Sequence, residues 1–379
     1  MISFRQRAIC ATLSAGLFAP ALALAAPDPV AVADRLVEVI ETSASDASYD
    51  SSQYNAADDT VTIVNLAFTE DEDTGSFATV IIRGFDETNT DGFGADRITA
   101  TGFELVNDKA QILISELTIA NLDIPSVDVD PDDPESWNQV TYTSLELSNI
   151  RAIPKGSDPI TVASVKSAIN YTGDDGISGN GSLLIDGLSI PADILEGDAR
   201  AFMKASGYDS LELDVTLDAA YDAITKTLDL NTLTIDAQNM GVVNFSAQLG
   251  GIPKDMLRDP AQMQGLMATA TLRGARLSFA NASIFDKGLD YAAGLTGQEP
   301  AQLKAQAPFV LGFGLAQINN EAFTKMVTSA VTDFLENPKS LTVTIAPQNP
   351  VPVAQIAGAA MSSPKAVPDL LGVAVVANQ

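Results

Sequence analysis

The stretch Leu211-Glu-Leu-Asp-Val-Thr-Leu-Asp218 decides how this chain is read. Leu211, Leu213, Val215 and Leu217 share one parity; Glu212, Asp214, Thr216 and Asp218 share the other. Side chains alternate across a strand, so this segment predicts a strand with one buried and one wet face. The same period-two pattern recurs in Thr60–Phe68, Phe77–Phe85, Ile98–Val106, Ala110–Ile124, Val140–Ile150, Thr161–Tyr171, Leu183–Ile190, Thr227–Ala237 and Val242–Leu249. Turn signals separate these runs: Asp73-Thr-Gly75, Asp91-Gly92, Asn107-Asp108, Gly173-Asp-Asp-Gly176 and Asn239-Met-Gly241.

Two strands slip phase. Leu228 and Leu230 lie on one parity, Leu233 and Ile235 on the other, so an extra residue is expected near Asn231-Thr232 as a β-bulge. Ile112 and Ile114 are offset from Leu117 and Ile119 in the same way. Long antiparallel strands with bulges curve, which predicts a bent meander sheet. A weak internal similarity links Glu116–Pro125 with Leu183–Pro191. Each has a turn-like dipeptide, Ala120-Asn121 or Asp186-Gly187, inside an aliphatic run that ends in Ile-Pro.

Helical spacing appears at Pro29–Glu41, through Val32, Leu36, Val37 and Ile40. It returns in Ala192–Ala205 and Ile252–Met267 and dominates after Asn281. The later segments are Ser283–Gly294, Glu299–Leu315 with Pro308 expected to kink it, Asn320–Leu335, Val353–Met361 and Pro364–Leu371. Thr296 with Glu299 reads as a capping box. Leu341–Ile345 and Val373–Ala377 read as strands. The expected fold class is α+β: a large curved antiparallel β-meander sheet packed by a mainly helical C-terminal block. The expected division is 1–25 a signal peptide, 26–280 a β-rich region, and 281–379 the helical block. If the helices cover the apolar side of the sheet completely, no groove exists; if they do not, a groove remains.

The first residues carry Arg5 and Arg7, an apolar run from Ala8 to Leu24, then Ala23-Leu24-Ala25 and Pro27. That is the layout of a cleaved signal peptide, so a periplasmic location is expected. Cys10 is the only cysteine, near the start of the apolar run, and there is no histidine. Beyond the leader, disulfides, thiol nucleophiles, imidazole bases and the usual zinc ligand sets are therefore excluded. The formal net charge is -28, which repels nucleic acid and anionic headgroups.

A Ser-Lys pattern occurs once, Ser362-Ser-Pro-Lys365, without the companion motifs of penicillin-binding enzymes. No P-loop or nucleophile elbow is present. The aromatic share of 6 % gives little for stacking sugars. The expectation is a protein that is not an enzyme. For a metal, the candidates are Asp128, Asp130, Asp132, Asp133 and Glu135, whose crowded carboxylates suit calcium. The EF-hand spacing fails, because Asp133 stands where Gly is needed and Gln139 where Glu is needed. The loops Glu70–Asp73 and Asp86–Asp96 are weaker candidates of the same kind. An outer-membrane barrel would share the alternation, but aromatic girdles are absent and the C-terminal part reads as helical.

Two segments carry a resemblance. Ala205-Ser-Gly-Tyr-Asp-Ser-Leu-Glu-Leu-Asp-Val215, continuing through Leu228–Ile235 to Gly241-Val-Val-Asn-Phe245, is the first. Phe334-Leu-Glu-Asn-Pro-Lys-Ser-Leu-Thr-Val-Thr-Ile345 with Pro368–Val373 is the second. They resemble a group of uncharacterised secreted proteins of alphaproteobacterial type. The meander is similar in architecture to AsmA-type and YdgA-type periplasmic proteins, a likeness that implies handling of envelope lipids and supplies no site residues. The expected function is a non-enzymatic periplasmic protein binding a lipid or other apolar envelope molecule on the sheet. The alternatives are an envelope module that contacts other proteins and a calcium-binding extracellular protein.

Overall fold

The computed structural model describes residues 26–126, 140–173, 177–254, 256 and 265–379. The alternating runs form one open antiparallel sheet in the order β1-β3-β4-β5-β6-β7-β8-β9-β10-β11-β12-β13-β14-β16, with β2 on β3 and β15 on β13. The strands are β1 Asp46–Ser48, β2 Ser51–Asn55, β3 Thr60–Glu70, β4 Asp73–Phe85, β5 Phe93–Val106, β6 Ala110–Ile124, β7 Ser144–Pro154 and β8 Ile160–Tyr171. They continue as β9 Gly179–Pro191, β10 Ser210–Asp222, β11 Thr227–Ala237, β12 Gly241–Gly250, β13 Thr271–Asn281, β14 Ser340–Ile345, β15 Val351–Pro352 and β16 Val373–Ala377. From β3 to β14 each strand pairs with the next in the chain, a meander joined by short turns at most corners and by helical connections between β9 and β10, β12 and β13, and β13 and β14.

The helices are α1 Pro29–Glu41, α2 Gly197–Ser206, α3 Leu266–Thr269, α4 Ile284–Thr296, α5 Pro300–Ala316, α6 Glu321–Glu336, α7 Val353–Ser362 and α8 Val367–Leu371. Most lie after residue 281, as the α+β reading requires. The chain divides into two compact units. One holds residues up to 176 plus 181–186, and the other holds 177–180 plus 187–379.

In the first unit, α1 starts where Asp28 accepts a hydrogen bond from the Val30 amide at 3.0 Å. Its Val32 and Ala33 are fully buried in a core with Val61, Ile63, Leu66, Val80, Ile82 and Phe93. The phase slip in β6 is not a bulge of one extra residue. Pairing runs Thr101↔Glu116 and Phe103↔Ile114, so Gly102 and Ser115 both leave the ladder and the register is unchanged. The same interruption appears at Asn65 and Ala78 between β3 and β4, at Ser115 and Asn149 between β6 and β7, and at Asn149 and Ala163 between β7 and β8.

The skipped residues line up into one crease across β3–β8. On alternate strands the crease residue is left-handed: Asn65 at φ 51°, Gly102 at 66° and Asn149 at 51°. Asn and Gly are the residues that enter this region at least cost. Apolar residues on both sides of the crease thereby stay on one face despite the change of parity.

In the second unit the expected bulge is present. Asp218 pairs with Thr232 and Ala219 with Leu230, leaving Asn231 as the extra residue. Asn231 Nδ2 donates to Asp218 Oδ1 at 2.7 Å, which ties it to the polar face. Pro308 lies inside α5, and the helix runs on to Ala316. Thr296 is not the start of α5. It ends α4, where Gly297 turns left-handed at φ 67°, and its hydroxyl donates to the Ala292 carbonyl at 2.8 Å. Glu299 is the N-cap instead, and its amide donates to Gln302 Oε1 at 3.3 Å.

Candidate functional site

The apolar face of the sheet is the feature that chemistry can use. Directly paired residues of antiparallel strands share a face. In the second unit Leu217, Leu233, Phe245, Leu277, Val343 and Val375 form one row across β10 to β16. Val215, Ile235, Val243, Phe279, Leu341 and Ala377 form the next row on the same face. A third row, Ala219, Leu230, Ala247, Ala275, Ile345 and Val373, follows across the Asn231 bulge. The opposite face carries Glu212, Asp214, Thr216 and Asp218 on β10, and Thr234 and Asp236 on β11.

None of these apolar rows is fully buried. Leu277 is 46 % exposed and Ile235 is 37 % exposed. A side chain on an uncovered sheet is shielded only by its neighbours in the sheet, and half-burial is the result. Where an element packs fully on top, as over Ile63 and Val80, exposure falls to near zero, while Phe279, which one helix only approaches, stays half-buried. Helix α6 brings Phe334 to within 6.2 Å of Phe279, ring centre to ring centre, and to 4.9 Å of Phe285. Leu277 is the next residue on the Phe279 face, and it is already open.

The first unit shows the same change along one row. Ile63, Val80 and Ala100 are buried in the core that α1 helps to close, while their partners Leu117, Leu147 and Val165 are half-buried. Phe77 and Phe103 meet at 4.9 Å where this face passes the crease. The second unit has two smaller cores of its own. Met203 and Met240 bury against Ala192, and Tyr221 and Ile252 against Ala270. The buried Tyr221 hydroxyl donates to the Ile252 carbonyl at 2.9 Å.

The calcium candidates Asp128, Asp130, Asp132, Asp133 and Glu135 lie outside the described residues. Among the described residues, no group of three or more carboxylates, His or Cys comes together as a metal site. Of the weaker acidic loops, Asp86 is committed locally, since its Oδ1 accepts from the Thr88 amide at 2.8 Å and hydroxyl at 2.6 Å. Asp123 lies near it. Burial raises the Asp123 pKa above the ordinary carboxylate value, the Asp86 charge adds to that, and the hydrogen bond from Asn89 opposes it. Ser362 of the Ser-Lys pattern donates to the Gly358 carbonyl at 2.7 Å, as a helix-terminal serine does. A hollow of about 620 Å³ beside α6 is lined by polar residues such as Asn319, Thr324, Lys325, Thr328 and Ser329.

A protein-family model described as "Uncharacterized protein" matches residues 234–378. The matched span begins inside β11 and takes in α3 to α8 and strands β12 to β16. No curated protein matches the chain. Among the described residues, no helix is long and apolar enough to cross a membrane.

Proposed function

We propose that this chain is an exported, non-enzymatic carrier that holds a lipid or another apolar envelope molecule against its apolar sheet face. The observation that carries this reading is the half-exposed state of the paired rows through Leu277 and Ile235. An apolar surface of several strands left open in a chain of net charge -28 is a costly arrangement unless a ligand covers it. The polar opposite face keeps such a sheet in solution while the other side takes the ligand. The leader with Arg5, Arg7 and Ala23-Leu24-Ala25 supports delivery to the periplasm. The resemblance to uncharacterised secreted proteins of alphaproteobacterial type, and the likeness to AsmA-type and YdgA-type proteins, point to the same compartment and class of cargo.

The test is organic extraction and native mass spectrometry of the gently purified mature protein. A co-purifying apolar molecule of defined mass is expected, and Leu277→Asp with Ile235→Asp should remove most of it without unfolding the protein. Protein that carries nothing apolar, or the same load in the double variant, would refute the carrier.

A further inference from the structure

Among the described residues, helix α5 carries the largest cluster of exposed bulky apolar side chains, Phe309, Val310 and Phe313. Its sequence, Pro300-Ala-Gln-Leu-Lys-Ala-Gln-Ala-Pro-Phe-Val-Leu-Gly-Phe-Gly-Leu-Ala316, has Lys304 as its single charge. No charged residue follows until Glu321, in a chain that is 18 % charged. Leu315, at 9 % exposure, is its one buried residue. Phe309 is 69 % exposed, and Val310 and Phe313 are each 66 % exposed. The two phenylalanine rings meet edge to face at 4.8 Å, so they stand together as one raised patch. A Cβ built on Gly312 or Gly314 would touch nothing within 4 Å, so this side of the helix is open.

An amphipathic helix that buries its stripe leaves polar residues outside; here the outside is apolar as well. We infer that α5 docks the protein on an uncharged phospholipid surface through Phe309, Val310 and Phe313. Three arguments select that partner. The patch offers roughly 400 Å², from side chains of ~150–250 Å² each that are two-thirds exposed, against the ~800 Å² per partner of a stable protein interface. A second copy would also bring its own large negative charge, and the two would repel. The charge-free run has nothing with which to recognise an anionic headgroup. The apolar half of α5, Ala305–Ala316, is about 18 Å long at 1.5 Å per residue, well short of the ~30 Å hydrocarbon core. It therefore lies in the interface and does not span. The inference stands on α5 alone and not on the carrier reading.

The test is sedimentation of the mature protein with vesicles of pure phosphatidylcholine. Co-sedimentation is expected, with a partition coefficient that falls at least tenfold in F309S/F313S. Adding phosphatidylglycerol to the vesicles should weaken binding at low salt, through repulsion. The melting temperature should be unchanged in F309S/F313S, because both rings are exposed. Gly312→Lys, which places a charge on the open side of the helix, is a second variant expected to lose binding. Wild type that stays in the supernatant, or variants that bind as well, overturns the docking assignment. So does a lipid-free dimer in sedimentation velocity that F309S/F313S dissolves. Leu277→Asp should leave vesicle binding intact; loss of the extracted cargo in that variant is a separate readout, so each idea fails on its own measurement.

Discussion

Asp123 shows how one side chain can work against the fold that holds it. Its carboxylate is part-buried near Asp86, and burial raises its pKa above the unfolded value. A folded-state pKa above the unfolded one means that the native state binds the proton more tightly. The penalty is therefore full above the folded pKa, shrinks as pH falls through it, and is gone below the unfolded carboxylate range near ~4. Asp123→Asn keeps an oxygen for the Asn89 amide and sheds the charge. It should raise the melting temperature at pH 7, and the gain over wild type should vanish by about pH 3. A gain that persists in acid would assign the effect to packing instead. Nothing in the sequence marked this residue, because its environment comes from Asp86 and Asn89 on a different strand connection.

At the scale of elements, periodicity was the legible quantity and cover was not. α1 and α6 could be read from their apolar spacing, and the Asn231 bulge from the parity change between Leu230 and Leu233. The crease looked like a bulge because parity in one strand reports only that the phase changes. It does not report that Gly102, Ser115 and Asn149 leave the ladder together. The similarity between Glu116–Pro125 and Leu183–Pro191 has a physical content of the same kind. Asn121 at φ 50° and Gly187 at φ 62° are both left-handed residues inside continuing strands, not turns. Gly102 is the sharpest test of the crease. A Cβ there would stand 2.8 Å from the Ala78 Cβ, in a backbone conformation that costs an L-residue ~1–2 kcal/mol. Gly102→Val should lower unfolding free energy by about 2–4 kcal/mol in urea titration, the upper part from overpacking. A loss under ~0.5 kcal/mol, the range of an ordinary surface change, would mean that the crease tolerates side chains freely.

At the scale of the molecule, the sequence announced a one-sided sheet and left open whether its greasy side was covered. That depends on where the last helices come to rest, and a helical stripe such as that of α5 does not say what it meets. The charge balance was legible throughout, and it makes a simple forecast. Lys166 and Glu146 pair at 2.5 Å near the surface, but acids outnumber bases 49 to 21. Repulsion among unpartnered carboxylates destabilises the folded state and is screened within ~8 Å at 0.15 M salt. The melting temperature should climb by several degrees between 10 mM and 150 mM sodium chloride. A fall on adding salt would mean that attractive pairs outweigh the excess charge.

The crease also limits how this protein can change length. It takes one residue from each strand that it crosses, so β3 to β8 share a single count. Deleting Asn65 alone would slip residues 60–64 by one place against β4, so that Val61 and Ile63 would lie opposite Ile81 and Thr79 and turn outward while Leu66 and Phe68 stayed in place. Strand edits between residues 60 and 171 are therefore tolerated in steps of two, or not at all. Single-codon gaps in relatives of this chain should gather in the connecting turns and avoid the strands.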